Sequence, residues 1–254
     1  PYLCIVMNRY KIIRKVGYLV STWFEGNKMF PPSNEPIDVV IPVIEKDLRV
    51  LPLCLEAVKR FVTNKIQTIY LVSPDNEKIK AFCLEHGLVF VDEATVLKCA
   101  GHVHYILSDG TNRSGWIFQQ LLKLSATIGN CSHFLVIDAD HILLRPHTFL
   151  TEEGKTVFYR SREYHAPYYE AIRKLMGWNK SPFLSYVAHK MLFSRETLEI
   201  MKKEIHIHTG KVWDQAILSI LDPNELSCFS EYEIYGNYYP QSKAVNRLFR
   251  NKSL

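Results

Sequence analysis

The sequence lacks the patterns by which several large protein classes are recognised. Its six cysteines are scattered without a Cys-x-x-Cys pair, which argues against a zinc site and favours reduced thiols in a cytosolic protein. Its apolar runs all fall short of the roughly eighteen residues that a membrane-spanning helix needs. We expect no signal peptide, because the start of the chain lacks the order of charge, apolar run and small-residue cleavage site.

Four common catalytic and nucleotide-binding motifs are also missing from the sequence. It contains no P-loop, no Gly-x-Gly-x-x-Gly, no His-Glu-x-x-His and no Gly-x-Ser-x-Gly. These absences argue against P-loop NTPases, dinucleotide enzymes, zincins and serine hydrolases.

Positive charge is concentrated at the two ends of the chain, which has a net charge of +5. The basic residues concerned are Arg9, Lys11, Arg14 and Lys15 at the start and Lys243, Arg247, Arg250 and Lys252 at the finish. Such ends are either solvated or contact an anionic surface. We expect a cytoplasmic protein whose basic ends allow peripheral membrane contact, and no nucleic-acid partner.

The chain is long enough for one large domain with its own core, since 47% of its 254 residues are hydrophobic. The Pro-rich segment PPSNEP ends at Pro36, so residues 1–36 are expected to be packed on, or appended to, a main domain at 37–240. Residues 241–254 are expected to form a basic tail. The pattern becomes less regular near residue 150, which divides the main domain into halves at 37–150 and 151–240.

Strand patterns alternate with helix patterns in the first of these halves. Strands are predicted at 37–44, 68–73, 88–92 and 133–138, and helices at 47–62, at 75–87 with Gly87 as its stop, and at 114–129 with Ser114 as its cap. The alternation predicts an α/β fold with right-handed crossovers and a mostly parallel sheet. Ligands bind such sheets beyond the carboxyl ends of the strands, here after Val43, Val72 and Ile137.

Two aspartates, Asp138 and Asp140, follow the apolar run FLVI directly. Strand side chains at i and i+2 point to the same side, so the two carboxylates are expected to converge on one cation. At the edge of a buried strand their charge is costly unless a metal or a donor compensates. Two carboxylates together with phosphate oxygens suit Mg²⁺ or Mn²⁺. The alternative to a metal site is that the two aspartates lie in a solvated loop.

Histidines are candidates for a third ligand of this ion. His189 is one, and His206 and His208 have the spacing that puts two rings on one side. A histidine in any of these places also has an ordinary structural or exposed role.

The capping-box pattern SEYE at 230–233 bears on the choice of a catalytic base. Ser230 is expected to cap a helix while Glu233 reaches back to the cap, which gives Glu233 a structural role. Glu231 has no such explanation and is therefore the better candidate for a base that removes a proton from a hydroxyl group.

Several segments resemble a known superfamily. FLVIDADHILLRP is similar to the Asp-x-Asp segment of GT-A glycosyltransferases, and VVIPVIEKD is similar to their first nucleotide-binding strand and turn. HKMLFSRETLEIM and FSEYEIYGNYY resemble, more narrowly, a poorly characterised and largely microbial group of predicted GT-A transferases. The resemblance spans about residues 37 to 240 and is specific mainly at the Asp-x-Asp segment.

The resemblance implies a GT-A fold, a Rossmann-like three-layer α/β sandwich with a mostly parallel central sheet. In such a fold residues 37–150 form the nucleotide-sugar-binding half, and 151–240 form a helical half that faces the acceptor. The activity implied is a metal-dependent hexosyl- or pentosyltransferase of glycan biosynthesis. It uses Mn²⁺ or Mg²⁺ and a UDP- or GDP-linked donor, and its acceptor is a hydroxyl group of a glycan or glycoconjugate.

The resemblance also implies roles for particular residues. The residues expected at the nucleotide sugar are Pro42, Val43, Lys46, Ser73, Trp116, Gln119, Asp138 and Ala139, and those at the metal are Asp138, Asp140 and His189. For Trp116, Gln119 and Lys46 the alternatives are helix packing and a solvated surface. Asp214, beside Gln215, resembles an Asp-Gln pair at the acceptor side and is the second candidate base, unless it caps a helix.

Aromatic residues offer a stacking surface for sugars. The residues concerned are Tyr164, Tyr168, Tyr169, Trp178, Tyr235, Tyr238 and Tyr239. They are equally suited to packing a core.

Two other functions remain as alternatives. One is a nucleotidyltransferase of sugar-nucleotide metabolism, although the first strand is not followed by the Gly-rich loop that usually holds a triphosphate. The other is a non-catalytic protein on the same fold that binds a glycan or a nucleic acid through its basic ends.

Overall fold

The computed structural model of the protein describes residues 29–97, 99, 101, 103–180 and 184–248, with the isolated positions 16 and 20. Most of the predicted N-terminal segment lies outside these residues. So do the basic side chains of Arg9, Lys11, Arg14, Lys15, Arg250 and Lys252.

Seven strands are present in the described part of the chain. They are β1 (Ile37–Pro42), β2 (Ile66–Ser73), β3 (Val89–Asp92), β4 (His133–Ile137), β5 (Thr156–Arg160), β6 (Lys190–Ser194) and β7 (Ala244–Leu248). The first four fall where the sequence predicts strands.

Eight α-helices accompany these strands within the described residues. They are α1 (Leu51–Phe61), α2 (Glu77–His86), α3 (Glu93–Val96), α4 (Ser114–Leu124), α5 (Ala166–Met176), α6 (Arg195–Thr209), α7 (Trp213–Ser219) and α8 (Glu231–Tyr238). Short 3₁₀ helices cover Glu45–Arg49 and Gln241–Lys243.

The central sheet has the strand order β3-β2-β1-β4-β6. β1 pairs in parallel with β2 and β4, and β2 pairs in parallel with β3. β6 pairs antiparallel with β4, so one edge of an otherwise parallel sheet runs the other way. The predicted α/β fold with a mostly parallel sheet is therefore confirmed.

Alternate residues of the sheet enter two separate cores. Val40 and Val136 belong to one hydrophobic cluster, whereas their neighbours Val39 and Leu135 belong to a second cluster on the opposite face. The first cluster includes apolar side chains of α4, α5 and α8, and the second includes those of α1 and α2. Because strand side chains alternate, a sheet covered on both faces gives the predicted three layers.

Helix ends follow the sequence signals in some places and depart from them in others. Asn76 caps α2, and Gly87 ends it in the left-handed conformation at φ +65°. Ser114 is not a cap: it is the first residue of α4, and its hydroxyl accepts a hydrogen bond from the backbone of Tyr105 at 2.9 Å. That helix also ends at Leu124, earlier than its apolar pattern predicts.

A second, two-stranded sheet pairs β5 with β7 in parallel. β7 lies in the stretch predicted as a basic tail, where Arg247 packs over the ring of Phe30. None of the described helices has the length and apolar character needed to cross a membrane. The described cysteines Cys54, Cys83, Cys99, Cys131 and Cys228 are free thiols.

Candidate active site

A polar cleft of about 440 Å³ lies at the carboxyl ends of β1 and β4. This volume falls in the range of small-molecule binding sites. Many of the predicted site residues line it, namely Pro42, Lys46, Trp116, Gln119, Asp138, Ala139, Asp140, His189 and Glu231. The structure therefore brings residues from both halves of the domain to one place.

The two aspartates of the Asp-x-Asp segment have different surroundings. β4 ends at Ile137, so Asp138 and Asp140 lie in the turn after the strand, where side chains no longer alternate as they do within one. The Asp138 side chain is 26% exposed and bonded to other side chains, whereas Asp140 is exposed. Both line the cleft, but strand alternation is not what brings them there, because neither residue lies within β4.

Lys123 is the buried cation of this site. It lies near the end of α4, and its Nζ is 2.9 Å from Oδ1 of Asp138 and 2.8 Å from Oε1 of Glu231. The third contact is with the hydroxyl of Tyr232 at 3.3 Å. An ammonium group has three N–H donors, so these contacts account for all of them.

The pKa values of this cluster follow from its charges. Burial opposes the charged form of Lys123, but Glu231, Tyr232 and Asp138 raise its pKa well above the ordinary value. Burial also opposes ionisation of Asp138, yet Lys123 and the hydrogen bond from His189 hold its pKa well below the usual range. Lys123 and Asp138 are therefore both charged at neutral pH.

Two glutamates of α8 have opposite surroundings. Ser230 caps α8 as predicted, and its hydroxyl accepts from the backbone N–H of Glu233 at 3.3 Å. The Glu233 carboxylate does not reach back to the cap. It accepts hydrogen bonds from the hydroxyls of Tyr169 and Ser185 and from the backbone of Tyr186, because it points into the core.

Glu231, by contrast, borders the cleft although only 3% of the residue is exposed.

The close approach of α8 to Tyr186 depends on a glycine. A Cβ at Gly236 would lie 2.2 Å from the ring of Tyr186, so a larger residue there would push the helix away.

His189 contacts Asp138 directly. Its Nδ1 is 3.1 Å from Oδ2 of Asp138, and this hydrogen bond raises the pKa of His189 against the opposing effect of burial. Its backbone has φ +58°, an uncommon conformation for a residue other than glycine. His206, another predicted ligand, lies in a different groove and bonds to the carbonyl of Lys211.

Lys190 and His141 lie behind His189. The Lys190 Nζ is 3.1 Å from Nε2 of His141, and the His141 ring stacks on His189 at 5.8 Å. Burial lowers the pKa of Lys190 to about 7, and the charge of Arg145 adds to this effect. Burial and Lys190 lower the pKa of His141 to about 3, so His141 is neutral at physiological pH.

The donor set of the cleft fits a divalent cation that is shared with a ligand. Both oxygens of Asp138 already accept bonds from protein groups, and the described residues contain no group of three or more His, Cys, Asp or Glu arranged for a metal. Asp140 is exposed on the cleft. Mg²⁺ commonly takes one or two carboxylates from a protein and its other ligands from phosphate and water, which matches this arrangement.

Three of the predicted site residues do not line the cleft. Val43 is buried in the core and its backbone N–H donates to Val72, and the buried Ser73 donates its hydroxyl to the carbonyl of Pro74. Asp214 lies in the first turn of α7 and lines another groove beside Trp213. It is not the cap of that helix, since Val212 holds that position.

The aromatic residues do not form one platform. Tyr168 and Trp116 line the cleft, whereas Tyr235 and Tyr239 are buried in the core around Phe158. Two further pairs stack separately, Tyr164 on Tyr169 and Trp178 on Tyr238. Most of these rings therefore have the packing role.

Sequence reasoning missed Lys123, Gln120 and Tyr232, all of which line the cleft. The helical spacing contained a signal for two of them. Lys123 follows Trp116 by seven residues and Gln120 by three, so all three share one face of α4. Tyr232 gave no such signal, because its place depends on how α8 packs.

Comparison with known proteins gives a family and a distant structural likeness. Residues 34–253 match the sequence model of a family described as a family of unknown function (DUF6492), and the chain belongs to that family. Comparison with curated proteins gives no match.

Among solved structures, a complex of glucosyl-3-phosphoglycerate synthase from Mycobacterium tuberculosis with Mn²⁺, UDP and glucosyl-3-phosphoglycerate is similar with a TM-score of 0.41 and 16% identity, over 86% of this chain and 73% of that one. Mannosyl-3-phosphoglycerate synthase from Rubrobacter xylanophilus is similar with a TM-score of 0.41 and 14% identity, over 89% of this chain and 72% of that one. Mouse xyloside xylosyltransferase 1 is similar with a TM-score of 0.40 and 13% identity, over 74% of this chain and 83% of that one. The metal, nucleotide and product named here are those of the solved structures.

Proposed function

We propose that this protein is a glycosyltransferase that moves a sugar from a UDP- or GDP-linked donor to a hydroxyl group of a glycan or glycoconjugate. The observation that carries the proposal is that Asp138, Asp140 and Glu231 line one cleft at the carboxyl end of β4. Ligands of mostly parallel sheets bind at this edge. The same segment of the chain bears the resemblance to the Asp-x-Asp segment of GT-A glycosyltransferases.

The donor is proposed to lie against the first half of the domain. Lys46, exposed in the 3₁₀ helix after β1, is available to the diphosphate, and Trp116 on α4 offers an aromatic face. Arg113 packs over the Trp116 ring at 4.2 Å and holds it in place. Gln119 and Ala139 line the space between these groups.

A divalent cation is proposed to be held by Asp140 and by the Asp138 oxygen that faces His189. When bound, Mn²⁺ or Mg²⁺ neutralises charge on the departing nucleoside diphosphate. His189 orients Asp138 through their hydrogen bond, and Lys123 fixes the other oxygen of the same carboxylate. His189 is therefore proposed to support the site rather than to act as the third metal ligand.

Glu231 is the proposed base of an inverting reaction. The acceptor oxygen attacks the anomeric carbon of the sugar, Glu231 removes the hydroxyl proton, and the bond from that carbon to the diphosphate breaks with its electron pair. Glu231 is the better candidate because it lines the cleft, whereas Asp214 does not share that cleft with Asp138.

The test is a thermal-shift screen with UDP, UDP-glucose, GDP and GDP-mannose, each with and without Mn²⁺. A ligand at one hundred times its Kd stabilises the folded state by about 2.7 kcal/mol, which raises the Tm by roughly 5–10 °C in a protein of this size. We expect such a shift with one nucleotide sugar and Mn²⁺. Asp140→Ala should lose both the Mn²⁺-dependent part of the shift and sugar transfer.

Glu85→Ala provides the matched control, since Glu85 is an exposed carboxylate on α2. It should behave as the unchanged protein. The proposed function is contradicted if none of the four compounds shifts the Tm. Full donor binding and turnover in EDTA would contradict the part assigned to the metal.

A further inference from the structure

One side chain that borders the cleft has a polar atom without a partner among the described residues. Gln120 lies on α4, is 4% exposed and lines the cleft beside Lys123. Its Oε1 accepts a hydrogen bond from the backbone N–H of Glu231 at 3.2 Å. Its buried Nε2 has no hydrogen-bond partner among the described residues.

The orientation of this amide group is determined by its neighbour. Turning the amide over would bring its NH₂ group against the N–H of Glu231, where two donors would face each other. The oxygen therefore faces Glu231 and the nitrogen faces away from it. A buried N–H group without an acceptor is costly and rare in folded proteins, so its persistence at a binding cleft points to an acceptor that arrives with a ligand.

The charges around Gln120 indicate what kind of oxygen that acceptor is. Asp138 and Glu231 place two carboxylates at the same part of the cleft, and Lys123 already donates all of its protons to them and to Tyr232. The proposed cation would hold the phosphate oxygens at Asp138 and Asp140, whereas a phosphate oxygen at Gln120 would face the Glu231 carboxylate with no protein cation free to offset it. A hydroxyl group accepts from an amide and donates to a carboxylate at the same time, and so satisfies both.

We infer that Gln120 binds a hydroxyl group of the donor sugar and thereby contributes to the choice of sugar. The inference rests on the proposed function, because it places a sugar in the cleft. A site that hydrogen-bonds a substrate hydroxyl discriminates strongly against an analogue that lacks it, since the protein group is then left unpaired. Gln120 would thus act on the sugar part of the donor and leave the diphosphate part unaffected.

The experiment compares binding of UDP with UDP-glucose, and of GDP with GDP-mannose, by titration calorimetry. Gln120→Met removes the donor without adding charge, and Gln120→Glu removes the donor but keeps an acceptor for Glu231. In both variants the preference for the nucleotide sugar over its own diphosphate should fall about tenfold or more. The Kd of Gln120→Met for the diphosphate alone should change less than threefold.

The possible outcomes separate this inference from the proposed function. If the unchanged protein binds a nucleotide sugar and both variants keep its full preference, the role of Gln120 is refuted while the proposed function stands. Equal weakening of the diphosphate and the nucleotide sugar in Gln120→Met also refutes it. If the unchanged protein binds none of the four compounds, both proposals fail. Far-UV circular dichroism of each variant checks that it is folded.

Discussion

Two lysines are buried near Asp138, and their surroundings shift their pKa values in opposite directions. Lys123 contacts two carboxylates and its pKa lies well above the ordinary value. Lys190 is 2% exposed, contacts the imidazole of His141, and has a pKa lowered to about 7. Burial acts in the same direction on both, so the difference comes from the charges that each one meets.

The comparison shows how one residue type takes two roles in one site. The charge of Lys123 holds Asp138 and Glu231 together across two helices and a strand end. Burial, and in addition the positive charge of Arg145, makes the protonated form of Lys190 costly in the folded protein. Substitutions at the two positions should therefore have different consequences.

The largest effect on stability is expected from Lys123→Met. The substitution leaves two carboxylates in the cluster without their cation, and breaking such a buried pair costs about 3–5 kcal/mol. Urea denaturation measures the change in the free energy of unfolding. Lys59→Met, at an exposed position of α1, is the control and should change it by less than about 0.5 kcal/mol. Equal midpoints for the two variants would show that Lys123 does not hold the cluster.

Lys190→Met is expected to alter the pH dependence of stability. Unfolded Lys190 keeps its proton up to its ordinary pKa of 10.5, whereas the folded form releases it near 7. The unfolded state therefore binds more protons between these values, and stability rises with pH in that window. From pH 7 to pH 9 this raises the free energy of unfolding by about 2 kcal/mol, and the variant should lack this rise.

The measurement for Lys190 is the difference between the two proteins in urea denaturation at several pH values. Other groups titrate in both proteins and cancel from this difference. A constant difference from pH 7 to pH 9 would mean that the pKa of Lys190 is not lowered, and the contrast with Lys123 would disappear.

Glu231→Gln should separate the charge of the cluster from its hydrogen bonds. Glutamine keeps an oxygen for Lys123 but loses the negative charge, so we expect a loss of about 1–2 kcal/mol in stability. If Glu231 is the base, turnover of the donor should fall by about 10²–10⁴ in the same variant. Unchanged turnover would show that Glu231 is not the base. Glu85→Gln, on the surface of α2, is the control.

The smallest effect on stability is expected at Asp140. Its side chain is exposed, so Asp140→Ala should change the free energy of unfolding by less than about 0.5 kcal/mol. Thermal and urea denaturation without ligand measure this. A large loss would show that Asp140, like Asp138, is part of the folded framework, and its proposed role toward a cation would then be in doubt.

Local patterns predicted much of the first half of the fold. β1, β2 and β4 are short runs of β-branched and apolar residues, and α2 ends at Gly87 as predicted. These features depend on neighbours in the chain. β6 and β7 were not predicted as members of a sheet, because their sequences KMLFS and AVNRL lack the run of β-branched residues that marks β1. Their pairing with β4 and β5 is set by the tertiary structure.

The candidate site was predicted in part. Asp138 and Asp140 stand out because they follow an apolar run, and Glu231 stands out because the capping box does not explain it. The structure brings all three to one cleft. Ser73 was assigned to the site from its place at a strand end and from resemblance, and Asp214 from resemblance, but neither lines the cleft. A motif predicts that a residue is available near a strand end, but not the direction in which its side chain points.

By itself the sequence determined the alternation of strands and helices and the position of the two aspartates after β4. Both are encoded by apolar periodicity and by charge next to an apolar run. Only the tertiary structure decided that Lys123 meets two carboxylates while Lys190 meets a histidine and an arginine. The charge state of a buried group depends on neighbours that are distant in the chain, and only folding brings those neighbours together.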